Sequence, residues 1–109
     1  MTEFELKVYE LVKKIPEGYV STYGDIAAAL GNRGLSRAVG NALHKNPFEG
    51  IVPCHRVVNR EGKMAKNFGF GGPVLQRKLL EDEGVEVINY KVDLIECGYI
   101  FDEKTLSFR

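Results

Sequence analysis

Residues 22–44 read TYGDIAAALGNRGLSRAVGNALH, and they decide the fold because they predict two short helices joined by a tight turn. Thr22 is suited to cap the first helix, which we expect over residues 23–30. The glycine-containing turn at 31–34 leads into a second helix over about 35–44. Two short helices connected in this way are typical of a helix-turn-helix.

The segment before this pair predicts another helix. Apolar residues recur at helical spacing through 3–15, and Thr2 with Glu5 makes a capping-box sequence. Pro16-Glu17-Gly18 should end that helix.

The segment after the pair predicts β structure. Residues 51–58 resemble short strands interrupted at Pro53, and 59–62 resemble a hairpin turn.

The remainder predicts one more helix and a β-rich end. Pro73 suits the first turn of a helix that Gly84 closes, and residues 85–101 are rich in β-formers, which favours a terminal hairpin or ribbon. We therefore predict one α/β (α+β) domain over 1–109, of winged helix-turn-helix type, with short β hairpins and a C-terminal β extension.

The composition is ordinary for a soluble globular protein, with 44% hydrophobic and 28% charged residues among 109. Apolar runs are short and the N-terminal residues lack signal-peptide character, so we expect a cytoplasmic protein without a membrane span. Two cysteines without an export signal predict reduced thiols. There is no CxxC pair and no His/Cys cluster with zinc spacing, so we expect no metal and no cofactor.

The charges are unevenly distributed around a net charge of zero. Residues 24–60 carry five basic and two acidic side chains, and 61–80 carry four and one, whereas 81–109 carry three and eight. A positive middle is compatible with a phosphate-facing surface, although such asymmetry is also common on solvated surfaces.

The run IVPCHRVV at 51–58 places a thiol beside an imidazole. A histidine can take the proton of a cysteine near neutral pH and so produce the nucleophilic thiolate. Successive strand residues point to opposite faces, so Cys54 and His55 could cooperate only across a bend or through a water. The alternative is a buried cysteine in a strand that a histidine happens to follow.

The second predicted helix combines Ser36 and Arg37 with unusually small residues up to Ala42. Small side chains let a helix approach another surface closely, and the arginine could reach into a base stack or a phosphate. Tight packing against the preceding helix would explain the small residues equally well, but not Arg37.

These motifs together resemble one protein family. Pro53-Cys54-His55-Arg56-Val57-Val58, with Arg37-Ala38-Val39-Gly40 starting 17 positions before the cysteine and Asn46-Pro47 starting eight before it, is similar to the O6-alkylguanine-DNA alkyltransferases over about residues 4–84. The resemblance implies a winged helix-turn-helix that enters the minor groove of double-stranded DNA and flips O6-alkylguanine into a pocket. It implies a monomer that takes the alkyl group irreversibly and turns over once.

The resemblance also implies roles for individual residues. Cys54 matches the alkyl acceptor, His55 the water-mediated base, and Glu83 the carboxylate behind it, although by composition alone Glu83 belongs to a solvated acidic helix end. Asn46 matches the asparagine that braces the active-site turn. The predicted substrate and DNA contacts are Tyr23, Arg37, Ser36, Gly40, Gly71 and Gly72, with Tyr23 donating to the leaving guanine and Arg37 filling the vacated stack.

Some positions depart from the family pattern. Gly69 and Phe70 stand where an aromatic residue and a serine are usual, and Gln76 stands where a lysine is usual. The chain also resembles the alkyltransferase-like proteins, but it has a cysteine where those have a replacement. A second hypothesis is therefore a sensor that binds the lesion and passes it to nucleotide excision repair. A reductase or thiol peptidase is disfavoured because Cys97, expected to pack in the C-terminal ribbon, is poorly spaced to resolve Cys54.

Overall fold

The computed structural model describes residues 1–48, 50–66 and 71–101. The helices are α1 (Glu3–Lys13), α2 (Tyr23–Ala29), α3 (Ser36–His44), α4 (Gly72–Asp82) and α5 (Leu94–Cys97), with strands β1 (Ser21–Thr22) and β2 (Val57–Val58). Short 3₁₀ turns precede α3 at Arg33–Leu35 and precede β2 at Cys54–Arg56. The predicted mixed fold with a helix-turn-helix is confirmed.

The helix starts follow from local capping. The Thr2 hydroxyl accepts from Glu5 N, and the Glu5 carboxylate accepts from Thr2 N, which completes the predicted capping box. Thr22 caps α2 by accepting from Asp25 N. The predicted turn at 31–34 is continued by the first 3₁₀ turn, where the Asn32 side chain accepts from Gly34 N.

Strands β1 and β2 are parallel, with Ser21 opposite Val57 and Thr22 opposite Val58. Val57 belongs to a core formed with α1, α2 and α3, whereas Val58 belongs to a second core formed with α4 and the C-terminal segment. The tiny sheet therefore joins two cores, because successive strand residues face opposite ways.

The prediction of short strands at 51–58, interrupted at Pro53, is wrong for residues 51–56. Pro53 removes a donor, Cys54 N bonds back to Val52 O at 2.8 Å, and the chain turns through a 3₁₀ geometry until Val57. The turn at 59–62 exists, held by the Asn59 side chain. It is not followed by a regular hairpin strand, because Lys63 pairs with Lys91 in an isolated bridge.

The predicted β ribbon at 85–101 is also largely wrong. Isolated bridges join Ile88 to Lys91 and Gly98 to Val20, and α5 interrupts the segment after the Asp93 side chain caps it. Asn89 and Tyr90 both have positive φ, 53° and 60°, which reverses the chain before a strand can extend. Intrinsic β preference gives way because the described residues offer this segment no longer strand edge with which to pair.

Within the described ranges, no helix is both long and apolar enough to cross a membrane. The same residues contain no group of three or more side chains suited to holding a metal ion.

Candidate active site and DNA-binding surface

Cys54 begins the second 3₁₀ turn and is 8% exposed. It lines a cavity of about 630 Å³ between α3 and the segment 63–66. The bend that cooperation with His55 requires is present, since both residues lie in this turn. Cys54 is therefore a buried core residue that borders a cavity large enough for a small organic group.

Asn46 fixes the loop that leads into this turn. Its side-chain oxygen accepts from Phe48 N at 2.9 Å, and its Nδ2 donates to Val52 O at 3.2 Å. Asn46 is 5% exposed, so both ends of a buried amide are satisfied. These two hydrogen bonds hold the loop that precedes Cys54, and the part that Asn46 plays in the reaction stays a prediction.

His55 faces Glu83, the C-terminal cap of α4. His55 Nε2 lies 2.8 Å from Glu83 Oε2, and the two side chains are 14% and 12% exposed. Glu83 is thus not part of a solvated helix end, which was the alternative reading of its sequence context. An ionised carboxylate can only accept, so Nε2 is the donor in this bond, and in a neutral imidazole Nδ1 is then the acceptor.

Arg56 is the second partner of the Glu83 carboxylate. Its Nε and Nη2 donate to the two oxygens of Glu83 at 2.9 and 2.7 Å, and its Nη1 donates to Ile15 O at 2.8 Å. Burial acts to raise the pKa of Glu83, but the hydrogen bonds and positive charge of Arg56 and His55 leave that pKa below its ordinary value. Arg56 had no assigned role in the sequence, although a buried arginine in an apolar run should have indicated a carboxylate partner.

Tyr23 lies at the start of α2 and also lines the cavity. Burial, and secondarily the negative charge of Cys54, raises the pKa of Tyr23 to about 12. Its phenol therefore holds its proton throughout the physiological range. The ring faces Gly40, where an added Cβ would lie 3.9 Å from two ring carbons, an ordinary van der Waals distance, so Tyr23 and α3 are neighbours.

The other predicted contacts fall into two groups. Ser36, Arg37 and Gly40 line the cavity with Tyr23 and Cys54. Arg37 is exposed and forms no ion pair with a described residue, whereas the Ser36 hydroxyl donates to Arg33 O at 2.7 Å. Gly71 and Gly72 have φ values of 135° and 73° at the start of α4 and are not among the described residues that line the cavity. Phe68, Gly69 and Phe70, expected to shape the pocket, lie outside the described residues.

The wall of the cavity at 63–66 was not predicted from the sequence. It contributes Lys63 and Lys66, and the described lining contains no Asp or Glu. Backbone hydrogen bonds join this wall, and Gly62 just before it, to the C-terminal segment. Met64 N donates to Tyr90 O at 3.0 Å, and Val92 N donates to Gly62 O at 2.9 Å. The C-terminal segment, whose role the sequence left open, therefore supports this wall.

Cys97 was expected to pack in a C-terminal ribbon, but it is the last residue of the short helix α5.

Comparisons with known proteins show the family of this chain. Residues 3–85 match the family model for the DNA-binding domain of 6-O-methylguanine DNA methyltransferase. The chain is 44% identical to alkyltransferase-like protein 1 of Schizosaccharomyces pombe, over 88% of this chain and 94% of that protein. It is 51% identical to a methylated-DNA–protein-cysteine methyltransferase of Methanosarcina acetivorans, over 58% of this chain and 40% of that protein.

Solved structures of proteins from the same family resemble the fold of this chain. S. pombe Atl1 in complex with damaged DNA containing O6-carboxymethylguanine superposes with a TM-score of 0.83 and 41% identity, covering 91% of this chain and 96% of that one. Mycobacterium tuberculosis OGT in complex with DNA gives 0.71 and 42%, covering 77% and 50%.

These matches define a protein of the alkylguanine DNA-repair class. The chain belongs to the 6-O-methylguanine DNA methyltransferase family through its DNA-binding domain. It spans about half the length or less of the methyltransferases it matches, and nearly the whole length of the alkyltransferase-like protein.

Proposed function

We propose that this protein repairs DNA by direct damage reversal, as a single-turnover methylated-DNA–[protein]-cysteine S-methyltransferase. It would flip O6-alkylguanine out of the duplex and move the alkyl group irreversibly to Cys54. The observation that carries the proposal is the position of Cys54 on the cavity, in the same turn as His55, whose imidazole is held by Glu83.

The first step is formation of the thiolate. The Cys54 thiol gives its proton to His55 Nδ1, directly or through a water, because Nε2 is engaged with Glu83. Glu83 then faces an imidazolium, which its negative charge stabilises, while Arg56 keeps the carboxylate oriented. Glu83 and Arg56 act through His55 and are positioning residues.

The second step is displacement at the alkyl carbon. A sulfur–carbon bond forms, the carbon–O6 bond breaks, and the electron pair passes to the purine. Tyr23, which is protonated at neutral pH, donates a hydrogen bond to the purine as negative charge develops there. The product thioether has no hydrolysable bond, so the chain is consumed.

Binding to DNA is proposed to occur through α3. Arg37 is exposed at the cavity mouth without an ion pair inside the described chain, so it is available to replace the flipped base in the stack. Lys63 and Lys66 on the opposite wall would favour nearby phosphates. Gly40 of α3 faces the Tyr23 ring, so both contacts lie on one surface.

Intact-protein mass after incubation with duplex carrying O6-methylguanine tests this proposal. We expect a gain of one CH₂ in the wild-type chain and no gain in Cys54→Ala. Binding of the lesion with no gain in mass would reject alkyl transfer.

The second candidate is a lesion sensor that recruits nucleotide excision repair proteins. It is favoured by the match to nearly the whole alkyltransferase-like protein, which extends into the C-terminal segment beyond the family model. The same mass measurement separates the candidates, because a sensor binds alkylated duplex selectively and leaves the alkyl group on DNA.

A further inference from the structure

Gln76 is a polar residue of α4 that is completely buried. Its Nε2 donates to His55 O at 3.1 Å and to Val57 O at 2.9 Å, and its Oε1 accepts from Ala65 N at 2.8 Å. Both donors and the acceptor oxygen of the amide are therefore engaged. If this amide made no hydrogen bonds, the folded protein would be less stable than with an apolar side chain of the same size, because burying unpaired polar atoms costs free energy.

The partners of Gln76 belong to two different parts of the site. His55 and Val57 flank Arg56 at the end of the turn that carries Cys54, whereas Ala65 belongs to the wall at 63–66. All three bonds are made with backbone groups, so the side chain fixes main-chain positions rather than a single neighbouring rotamer. One residue thus sets the separation between the sulfur-bearing turn and another wall of the cavity.

We propose that Gln76 is a positioning residue for alkyl transfer, which holds the Cys54 turn and the 63–66 wall at the separation that aligns the O6 substituent with the sulfur. This inference rests on the proposed function. Reaction geometry is sensitive to such placement, since a displacement of about 1 Å can slow a reaction by about 100-fold. An amide suits the position because it offers donors to two carbonyls and an acceptor to one N–H.

Two substitutions test the proposal. Gln76→Met keeps the length of the side chain and removes all three hydrogen bonds. Gln76→Glu keeps the shape and the acceptor but turns a carboxylate oxygen towards two carbonyl oxygens. Leu11→Ala is the control, because it removes buried side chain from α1 and is not a cavity-lining residue.

Three quantities are measured for each variant: the single-turnover rate at saturating alkylated duplex, the affinity for that duplex, and the midpoint of thermal unfolding. Rates and affinities are measured at a temperature below the lowest of these midpoints, so that every variant is folded. For both Gln76 variants we expect a rate at least about tenfold lower with affinity changed by less than about threefold. Leu11→Ala should lower the midpoint and leave the rate at saturation unchanged. Wild-type rates in the folded Gln76 variants, or an equal loss in Leu11→Ala, would overturn the proposal.

Amide hydrogen exchange of the wild-type protein provides a test that needs no variant to fold. Ala65 N–H should be protected, and exchange at the rate of an open amide would contradict the bond to Gln76. If the wild-type chain transfers no alkyl group, the proposed function fails and this inference falls with it. If the wild-type chain transfers the group and the folded Gln76 variants do so at the same rate, the inference alone is overturned.

Discussion

Arg56 and Glu83 form a bidentate ion pair, with Nε to Oε1 at 2.9 Å and Nη2 to Oε2 at 2.7 Å. The second of these oxygens also holds His55 Nε2. Because Arg56 is adjacent to His55 and also bonds Ile15 O, the pair ties the reactive turn to the end of α4 and to the residues after α1. One arginine thereby supports both the fold and the orientation of the proposed base.

Replacing Glu83 should affect stability and transfer together. Glu83→Gln leaves Arg56 largely buried without its counter-charge, so the free energy of unfolding should fall by about 3 kcal/mol at neutral pH. Urea unfolding measures this loss. Lys78→Ala is the control, since its i,i+4 pair with Asp82 is exposed and should contribute less than about 0.5 kcal/mol. Equal effects of the two changes would contradict a central role for Glu83.

The same carboxylate predicts how stability depends on pH. The pKa of Glu83 in the folded protein lies below its ordinary value of 4.5, so its stabilising contribution is present above that value and is lost as pH falls through the folded-state pKa. Unfolding midpoints compared between about pH 7 and about pH 3 should show the gap between wild type and Glu83→Gln closing in acid. A gap that stays constant to the lowest pH would show that the ionised pair is not its source.

Removal of the Tyr23 hydroxyl should affect chemistry more than binding. Tyr23→Phe keeps the ring that lies along Gly40, so the fold and the affinity for alkylated duplex should be retained. The single-turnover transfer rate should fall by about 100-fold, because a donor to the developing charge is lost. An unchanged rate with intact binding would remove Tyr23 from the proposed mechanism.

Arg37 separates recognition of the lesion from general attraction to DNA. Arg37→Lys keeps the positive charge, so the salt dependence of binding to unmodified duplex should remain the same. Selectivity for alkylated over unmodified duplex should fall about tenfold, because an ammonium group cannot replace the stacked guanidinium plane. If selectivity survives this change and Arg37→Ala alike, Arg37 does not occupy the vacated stack.

Contact between the C-terminal segment and the cavity wall can be broken at Gly62. An alanine Cβ there would lie 2.3 Å from Val92 O, in addition to the strain of a φ of 85°. Gly31→Ala is a matched control, with a φ of 101° and open space around the added carbon. Gly31→Ala should cost about 1 kcal/mol of stability, and Gly62→Ala should cost more and also weaken lesion binding. Equal affinities of the two variants for alkylated duplex would show that the C-terminal segment does not shape the cavity wall at 63–66.

The sequence predicted those parts of the molecule whose signals are local. The capping box of Thr2 and Glu5, the Thr22 cap and the glycine turn each act within a few residues, so they were readable without a structure. The β-formers after residue 85 were misleading because strand formation depends on an available partner edge, and among the described residues this segment meets only single bridges.

The reactive residues of the site could be predicted from the sequence, but most of the contacts that hold them in position could not. The Cys54-His55 pair stands out by chemistry, but Glu83 follows 28 residues later and was linked to His55 only through the family resemblance. Gln76 left one signal that was not used: it lies four residues before the buried Leu80, which puts an amide on the apolar face of α4. Long-range partners such as Ala65 are fixed by packing and cannot be derived from spacing alone.

The most direct test of alkyl transfer is to locate the alkyl group after reaction with duplex containing O6-methylguanine. Trypsin releases residues 46–56 as one peptide with Cys54 as its sole cysteine, and Cys97 falls in a different peptide as an internal control. We expect a single added methyl group on Cys54, none on Cys97, and one guanine restored in DNA for each chain modified. An unmodified 46–56 peptide recovered from protein that had bound the lesion would contradict it.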